Sequence, residues 1–103
     1  MSKKYSLRYL PLFADDLVKA HDYIAHKLKN QKAAQDLVAA TEQAILDRLP
    51  YAESFEQFHS QKTRANLYFR IDVENYVVYY VVIGSVMEVR RFLYGGQDRS
   101  RLL

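Results

Sequence analysis

A two-residue turn inside a run of alternating apolar residues constrains this chain most strongly. Gly84 and Ser85 separate two such runs, and glycine at the first position of a two-residue loop favours a primed hairpin turn. A further run of the same kind ends shortly before the pair. We therefore predict three consecutive antiparallel strands, over residues 65–71, 76–83 and 86–93.

The tight turn also predicts which residues lie opposite each other. A slip of one residue would bury several charges, so the register is strongly specified. If residues 72–75 form a four-residue loop, Ile71 lies opposite Tyr76 and Tyr68 lies opposite Tyr79. In the second hairpin the predicted pairs are Ile83 with Val86, Val81 with Glu88, Tyr79 with Arg90, and Val77 with Phe92.

Side chains alternate between the two faces of a strand, so this register assigns one face to the core. The single charge on that face is Arg91, for which three explanations stand. It lies at a sheet edge, it pairs with a helix carboxylate such as Asp15 or Asp22, or the register is wrong there. The predicted core positions are Leu67, Phe69, Ile71, Tyr76, Val78, Tyr80, Val82, Met87, Val89 and Leu93.

The opposite face of the sheet is amphipathic. It places Tyr68, Tyr79 and Arg90 in one row, and Arg70 lies one step along. Solvated arginines and a packed tyrosine pair would explain this row without any function. Arginines beside aromatic rings are also typical of a surface that binds a partner.

The first half of the chain reads as one strand and two helices. Residues 4–10 alternate as a short strand, and apolar residues then recur at helical spacing over residues 12–29. Asn30 is a good N-cap for a second helix, which Pro50 ends. Residues 51–64 show no period and are interpreted as a surface loop.

The predicted order is therefore β-α-α-β-β-β in a single α+β domain over residues 1–103. The helical hairpin must bury its apolar stripe, and the only large apolar surface is one face of the sheet. We expect the hairpin on one face of a mainly antiparallel four-stranded sheet, with the tyrosine and arginine face uncovered.

Composition excludes several classes of protein. The chain has no cysteine, and its histidines and carboxylates form no spaced ligand set, so we expect no metal and no cofactor. No apolar run approaches the ~20 residues that cross a bilayer, and no secretory signal precedes the first strand. We expect a cytoplasmic protein without a membrane partner. The net charge of +3 is weak evidence for nucleic acid.

Several short tracts, in their order along nearly the whole chain, resemble the RelE/ParE superfamily of toxins from type II toxin–antitoxin systems. Besides the opening strand, they are Asp22-Tyr23-Ile24-Ala25, Ala33-Ala34, Asn75-Tyr76, Val89-Arg90-Arg91-Phe92-Leu93-Tyr94-Gly95 and Leu102-Leu103. The resemblance implies a RelE/ParE-like fold and a growth-inhibiting toxin, of the kind linked to plasmid stabilisation, that a cognate antitoxin neutralises. RelE-like members cleave mRNA on the ribosome, whereas ParE-like members inhibit DNA gyrase.

The departures from the RelE pattern favour the ParE-like branch. RelE-type cleavage needs a base, an acid and cations that stabilise the charged phosphorane. Aligned on Tyr76, Arg70 falls on a catalytic basic position of the family, but Tyr68 replaces another. Val77 stands where those enzymes carry an arginine, and Gly96-Gln97 stands where two basic residues are usual.

Two alternatives to a ParE-like toxin stay open. One is a RelE-like ribosome-dependent endoribonuclease with a variant site, whose candidate catalytic residues are Arg70, Arg90, Tyr68 and Tyr79. The other is a non-toxic relative that binds RNA or protein through the same face. In the family, the C-terminal segment contacts the target or the antitoxin, which suggests Tyr94, Arg99 and Arg101.

Overall fold

A computed structural model describes residues 4–54, 57–58 and 68–95 of the chain. Within that part, two helices pack on one sheet, as the sequence predicts. The elements are β1 (Ser6–Tyr9), α1 (Pro11–Asp22), a π-helical turn (Tyr23–Lys27), α2 (Gln31–Arg48), a 3-10 turn (Leu49–Tyr51), β2 (Gln57–Phe58), β3 (Tyr68–Val73), β4 (Tyr76–Ile83) and β5 (Val86–Tyr94).

The helix boundaries follow from local chemistry. Pro11 is the first residue of α1, where its missing N–H costs nothing. Asn30 caps α2 as predicted, because its side-chain oxygen accepts a hydrogen bond from the Ala33 N–H at 3.0 Å. The α-helix ends at Arg48, and Pro50 lies in the 3-10 turn that follows. Lys29, between the two helices, adopts a left-handed conformation with φ +52°.

The sheet is mixed and mostly antiparallel. Within the described residues its strand order is β1-β5-β4-β3-β2, with β1 parallel to β5 and the other pairs antiparallel. Four strands make up most of the sheet, and the two-residue β2 adds to its far edge. The predicted four-stranded arrangement is confirmed, and β2 lies within the segment that we interpreted as a loop. Residues 65–67 of the predicted strand lie outside the described part.

A β-bulge in β5 corrects part of the predicted register. The pairs from Ile83↔Val86 to Tyr80↔Val89 hold, but Tyr79 pairs with Arg91 because Arg90 is an extra residue on β5. An extra residue in one strand reverses the faces of every residue beyond it. The predictions that Tyr79 pairs with Arg90, that Val77 pairs with Phe92 and that Leu93 faces the helices are therefore wrong. Val77 pairs with Leu93, and Phe92 pairs with Val78.

The turn between β3 and β4 is also tighter than predicted. β3 continues to Val73, which pairs with Tyr76, so Glu74 and Asn75 form a two-residue turn. Glu74 has φ +54°, a conformation that residues with a side chain seldom adopt. The predicted pairs of Ile71 with Tyr76 and of Tyr68 with Tyr79 are therefore wrong: Ile71 pairs with Val78, and Tyr79 pairs with Arg70. The pairing shifts by two residues, so each β3 side chain stays on its predicted face.

The main core lies between the helices and the sheet. Phe92 joins it by stacking on Tyr76, with ring centroids 4.9 Å apart, and it meets Phe13 of α1 edge-on at 6.0 Å. Tyr80 ties the end of α2 to the sheet, because its hydroxyl donates to the Ala52 carbonyl at 2.6 Å and accepts from Arg48. The other buried members are Ala20, Leu37, Ile45, Phe69, Ile71, Val73, Val78, Met87 and Val89.

The face of the sheet opposite the helices is not bare. Tyr79 is fully buried and Tyr68 is 3% exposed, so the prediction that both stand on an uncovered surface is wrong. They form a second apolar cluster with Val77, Val81 and Leu93. Leu93 reaches this cluster because of the bulge, and a strand face rich in tyrosine and valine gains more by burial than by solvation.

Candidate functional site

The predicted arginine and tyrosine row exists as a packed cluster on the face opposite the helices. The rings of Tyr68 and Tyr79 meet edge to face, with centroids 6.3 Å apart. The guanidinium carbon of Arg90 lies 6.0 Å from the centre of the Tyr68 ring, within cation–π range. The structure thus brings together three of the four residues proposed for catalysis, although Tyr79 and Arg90 are not the cross-strand pair that was predicted.

Glu88 links Arg90 of this cluster to Arg8 of β1. It is 6% exposed, and its carboxylate accepts hydrogen bonds from Arg90 Nε at 2.8 Å and from Arg8 Nη1 at 3.2 Å. Burial lowers the pKa of Arg90, but hydrogen bonds to Tyr68 and Glu88 outweigh it, so the pKa is raised overall. No role was predicted for Glu88, which was expected only to pair across the strands with Val81. A buried carboxylate with two arginine partners is the expected arrangement for a charge on such a face.

Arg70 lies apart from that ion pair. It pairs across the strands with Tyr79, and its Nη2 contacts Asp72 Oδ1 at 2.8 Å. The hydrogen bond to Asp72 raises the pKa of Arg70 against a smaller lowering by burial. Its side chain is 39% exposed, whereas that of Arg90 is 28% exposed and both tyrosines are buried. Arg70 is therefore the most accessible of the four predicted catalytic residues.

This cluster is poorly equipped for acid–base chemistry. Arginines with raised pKa values stay protonated and cannot take a proton from a 2′-hydroxyl. Each of the two candidate arginines already contacts a carboxylate, which offsets the charge that a phosphorane would need. The described residues also contain no group of three or more potential metal ligands.

A second feature is a groove between α1 and the end of β5, with a volume of about 790 Å³. Tyr94, which we predicted as a binding residue, lies on its rim and meets Tyr76 edge-on at 5.6 Å. β1 pairs with β5 only as far as Val89, so beyond that point α1 runs beside the strand instead. The groove is lined by Asp16, Lys19, Ala20, Tyr23, Ile24, Leu28, Asn75, Tyr76, Arg91, Phe92, Leu93 and Tyr94.

The contacts of Arg91 at the floor of this groove explain why a charged residue lies at a predicted core position. Its Nε and Nη2 donate to the two carboxylate oxygens of Asp16 at 2.7 and 3.0 Å. The same carboxylate accepts the backbone N–H of Phe92 at 3.0 Å. All three explanations hold together: Arg91 lies where β5 is no longer paired with β1, it pairs with a helix carboxylate, and the register changes beside it. The carboxylate is that of Asp16 and not that of Asp15 or Asp22. The hydrogen bond to Asp16 raises the pKa of Arg91 despite burial.

Sequence reasoning missed most of the groove. Asp16 and Lys19 on α1 and Tyr23 at the start of the π-helical turn are spaced by three and four residues, so they share one side of the helical segment, which was the available signal. No shared site was predicted for them, because the apolar stripe of the helix lies at other positions. Arg99 and Arg101 lie outside the described residues. Within the described part, no helix is long and apolar enough to span a bilayer.

Comparison with known proteins supplies independent information. A family model described as "ParE toxin of type II toxin-antitoxin system, parDE" matches residues 7–99. Among solved structures, the chain is similar to one titled "Chromosomal ParDE TA system from P. aeruginosa", with a TM-score of 0.73 over 90% of this chain and 98% of that chain. The two sequences are 16% identical, so this likeness concerns the fold. No curated protein matches.

Proposed function

The chain belongs to the ParE toxin family of type II toxin–antitoxin systems, and from that premise we propose how it acts. It inhibits growth when free, it does so without cleaving RNA, and a cognate antitoxin neutralises it in the cytoplasm. Its target is DNA gyrase.

One observation carries the choice of a non-nuclease toxin. The tyrosines that would have to meet RNA are buried, and Arg90 is held on the buried Glu88 carboxylate. A general base within reach of a 2′-hydroxyl, with unpaired cations beside it, is what RNA cleavage requires. The cluster instead has the composition of a structural ion pair over an apolar core.

The loss of cleavage rate expected from the missing cations also favours a non-nuclease toxin. Losing one preorganised donor to a transition state costs about 3 kcal/mol, roughly a hundredfold in rate. Here Val77 replaces one cation of the RelE pattern, and Glu88 offsets the charge of Arg90. Two such losses would reduce cleavage by a factor on the order of ten thousand.

Expression in a bacterial host tests the toxin and its neutralisation. Induction of this chain alone should arrest growth, and co-expression of the neighbouring antitoxin gene should restore it. Primer extension on translated mRNA in the arrested cells should show no new codon-specific ends. Harmless induction at high expression would contradict the assignment.

A RelE-like variant nuclease is the second candidate, because the Arg70 side chain is partly exposed beside Tyr79. Codon-specific mRNA cuts that disappear in Arg70→Ala would establish it in place of the non-nuclease toxin. Salt-sensitive RNA binding without cuts and without growth arrest would instead identify a non-toxic binding relative.

A further inference from the structure

The outer edge of β1 is open to a further strand. In the described part of the chain, β1 lies at one end of the sheet and pairs only with β5. The N–H groups of Ser6 and Leu10 donate to β5 carbonyls at 2.8 and 3.0 Å. Alternate residues of a strand direct their backbone groups to opposite sides, so those of Leu7 and Tyr9 point away from the sheet. A row of such groups is a template on which another strand can pair.

Large apolar side chains lie beside this edge. Tyr9 is 44% exposed although its ring stacks on Phe13, with centroids 5.4 Å apart. Leu12, at the start of α1, is 56% exposed. It precedes Asp16 by one turn and therefore shares the side of the helix that faces β5 beyond the end of β1. A strand added to β1 would reduce the exposure of both apolar side chains.

The edge lacks the usual protection against pairing. Positive side chains, prolines and bulges keep edge strands of natural proteins apart. Arg8 is the positive residue within β1, but its guanidinium contacts the Glu88 carboxylate at 3.2 Å, which offsets its charge. The strand contains no proline, and its pairing with β5 is regular from Ser6 to Tyr9. A second strand therefore meets little repulsion there.

A second copy of this chain fits the edge in one register. Two copies related by a two-fold axis run antiparallel, and outward-facing residues must lie opposite one another. With Leu7 opposite Tyr9, the two Arg8 side chains would face each other, and like charges directly opposite are destabilising. A pairing centred on Tyr9 would run β1 against the start of α1. With Leu7 opposite Leu7, Arg8 lies opposite Ser6, and neither conflict arises.

The same register brings opposite charges together at both ends of the pairing. Counted from Leu7, Lys4 of one copy falls opposite Leu10 of the other. Asp15 follows Leu12 by three residues, so it lies on the same side of α1, and it is exposed. Within the described residues, neither Lys4 nor Asp15 takes part in an ion pair. Charge complementarity therefore favours the pairing centred on Leu7.

We propose that the free chain forms a two-fold dimer in which β1 pairs antiparallel with β1 of a second copy, centred on Leu7. The two Leu7 residues exchange their backbone hydrogen bonds, Arg8 lies against Ser6 of the second copy, and Lys4 reaches Asp15. The sheet then continues across both copies. The inference does not depend on the proposed function, because it concerns only the edge of β1.

The mass of the purified free chain is the first test. Sedimentation equilibrium at roughly 100 µM should give about twice the chain mass of 12.1 kDa. Dilution should dissociate the dimer, because so short an interface implies a dissociation constant on the order of 10 µM. A chain that stays monomeric at the higher concentration would overturn the proposal.

Substitution of Ser6 tests the register. Ser6→Arg places an arginine opposite Arg8 at two points of each dimer, so it should raise the dissociation constant roughly five- to thirtyfold. Ser6→Glu places a carboxylate there and should lower the constant. Gln35→Arg and Gln35→Glu are the matched controls, because Gln35 is exposed on α2, and each should change it by less than about twofold.

All variants must keep the wild-type circular dichroism and unfolding temperature. A dissociation constant that responds to neither Ser6 substitution would overturn the proposed register.

Exchange of the two end charges is the final test. Lys4→Glu and Asp15→Lys should each weaken the dimer by roughly threefold, because each places like charges together. The double variant restores opposite charges and should return the dissociation constant to within about twofold of the wild type. Losses that simply add in the double variant would show that the two residues do not meet, which contradicts the pairing centred on Leu7.

Discussion

Arg91 of β5 and Asp16 of α1 form a two-point ion pair at the place where the first strand has ended. Because the Phe92 N–H shares the same carboxylate, one side chain compensates both a half-buried guanidinium and an edge amide. The Asp16 carboxylate thereby provides the acceptor for a β5 N–H beyond Val89, the last residue of β5 that pairs with β1. The pair joins the first helix to the last strand, 75 residues away.

Removal of the Asp16 carboxylate should destabilise the folded protein. Asp16→Ala withdraws it from Arg91 and from the Phe92 N–H, and the side chains of the pair are only 17% and 9% exposed. We expect a loss of about 3 kcal/mol in the free energy of unfolding, measured by urea titration. Asp15→Ala, at an exposed neighbouring position, should cost less than about 0.5 kcal/mol. Equal losses in the two variants would show that the pair does not stabilise the fold.

The turn that organises the sheet offers a test of backbone strain alone. Gly84 has φ +62°, and a Cβ placed there would meet nothing within 4 Å. Gly84→Ala should therefore lose about 1 kcal/mol through its left-handed backbone and not through a clash. Ser85→Ala is the control and should leave the unfolding midpoint in place. A stable Gly84→Ala protein would mean that the turn is not the one described.

Much of the fold was predictable because the turn, the helix cap and the apolar periods all agree. The β-bulge in β5 was not predictable, because Val89, Phe92 and Leu93 are all apolar and are compatible with either face of the sheet. The visible signal was Arg90-Arg91, two charges in succession where alternation demands one. The turn at Glu74 was missed because glutamate seldom adopts positive φ.

The candidate site was less predictable than the fold. Alternation correctly placed Tyr68, Tyr79 and Arg90 on one face, but it says nothing about whether that face is covered. The role of Glu88 depends on Arg8 of β1, 80 residues away, and the parallel pairing of β1 with β5 was not part of the prediction. Contacts between distant segments of this kind leave no local pattern.

Alkaline pH should destabilise the protein through Tyr80. Burial raises the pKa of this tyrosine above its ordinary value of 10.0, although Arg48 partly opposes the shift. The folded chain therefore keeps a proton that the unfolded chain releases, so the stability is complete below pH 10.0 and falls as the pH rises through the folded pKa.

Urea titrations between about pH 8 and pH 11.5 would measure this loss. Tyr80→Phe should be less stable than the wild type at neutral pH, because the Ala52 carbonyl loses its donor, but its stability should fall less steeply with pH. Part of the slope should persist, since the pKa values of Tyr9 and Tyr76 are also raised by burial. An identical slope in both proteins would exclude Tyr80 as a source.

Substitution of Arg70 should leave the toxicity intact. The side chain is partly exposed and contacts Asp72, so Arg70→Ala removes a surface ion pair worth at most about 1 kcal/mol. Growth arrest on induction should be as strong as for the wild type, after expression levels are matched by immunoblot. Asp72→Ala serves as the control for loss of the ion pair. Toxicity lost in the arginine variant alone would give that guanidinium a direct role.

The most direct measurement is supercoiling by purified DNA gyrase in the presence of this chain, beside a ribosome-dependent cleavage assay on mRNA. We expect inhibition of supercoiling that the co-encoded antitoxin reverses, and mRNA that remains intact at the same concentrations. Unaffected gyrase together with codon-specific mRNA cleavage would contradict the account at its centre.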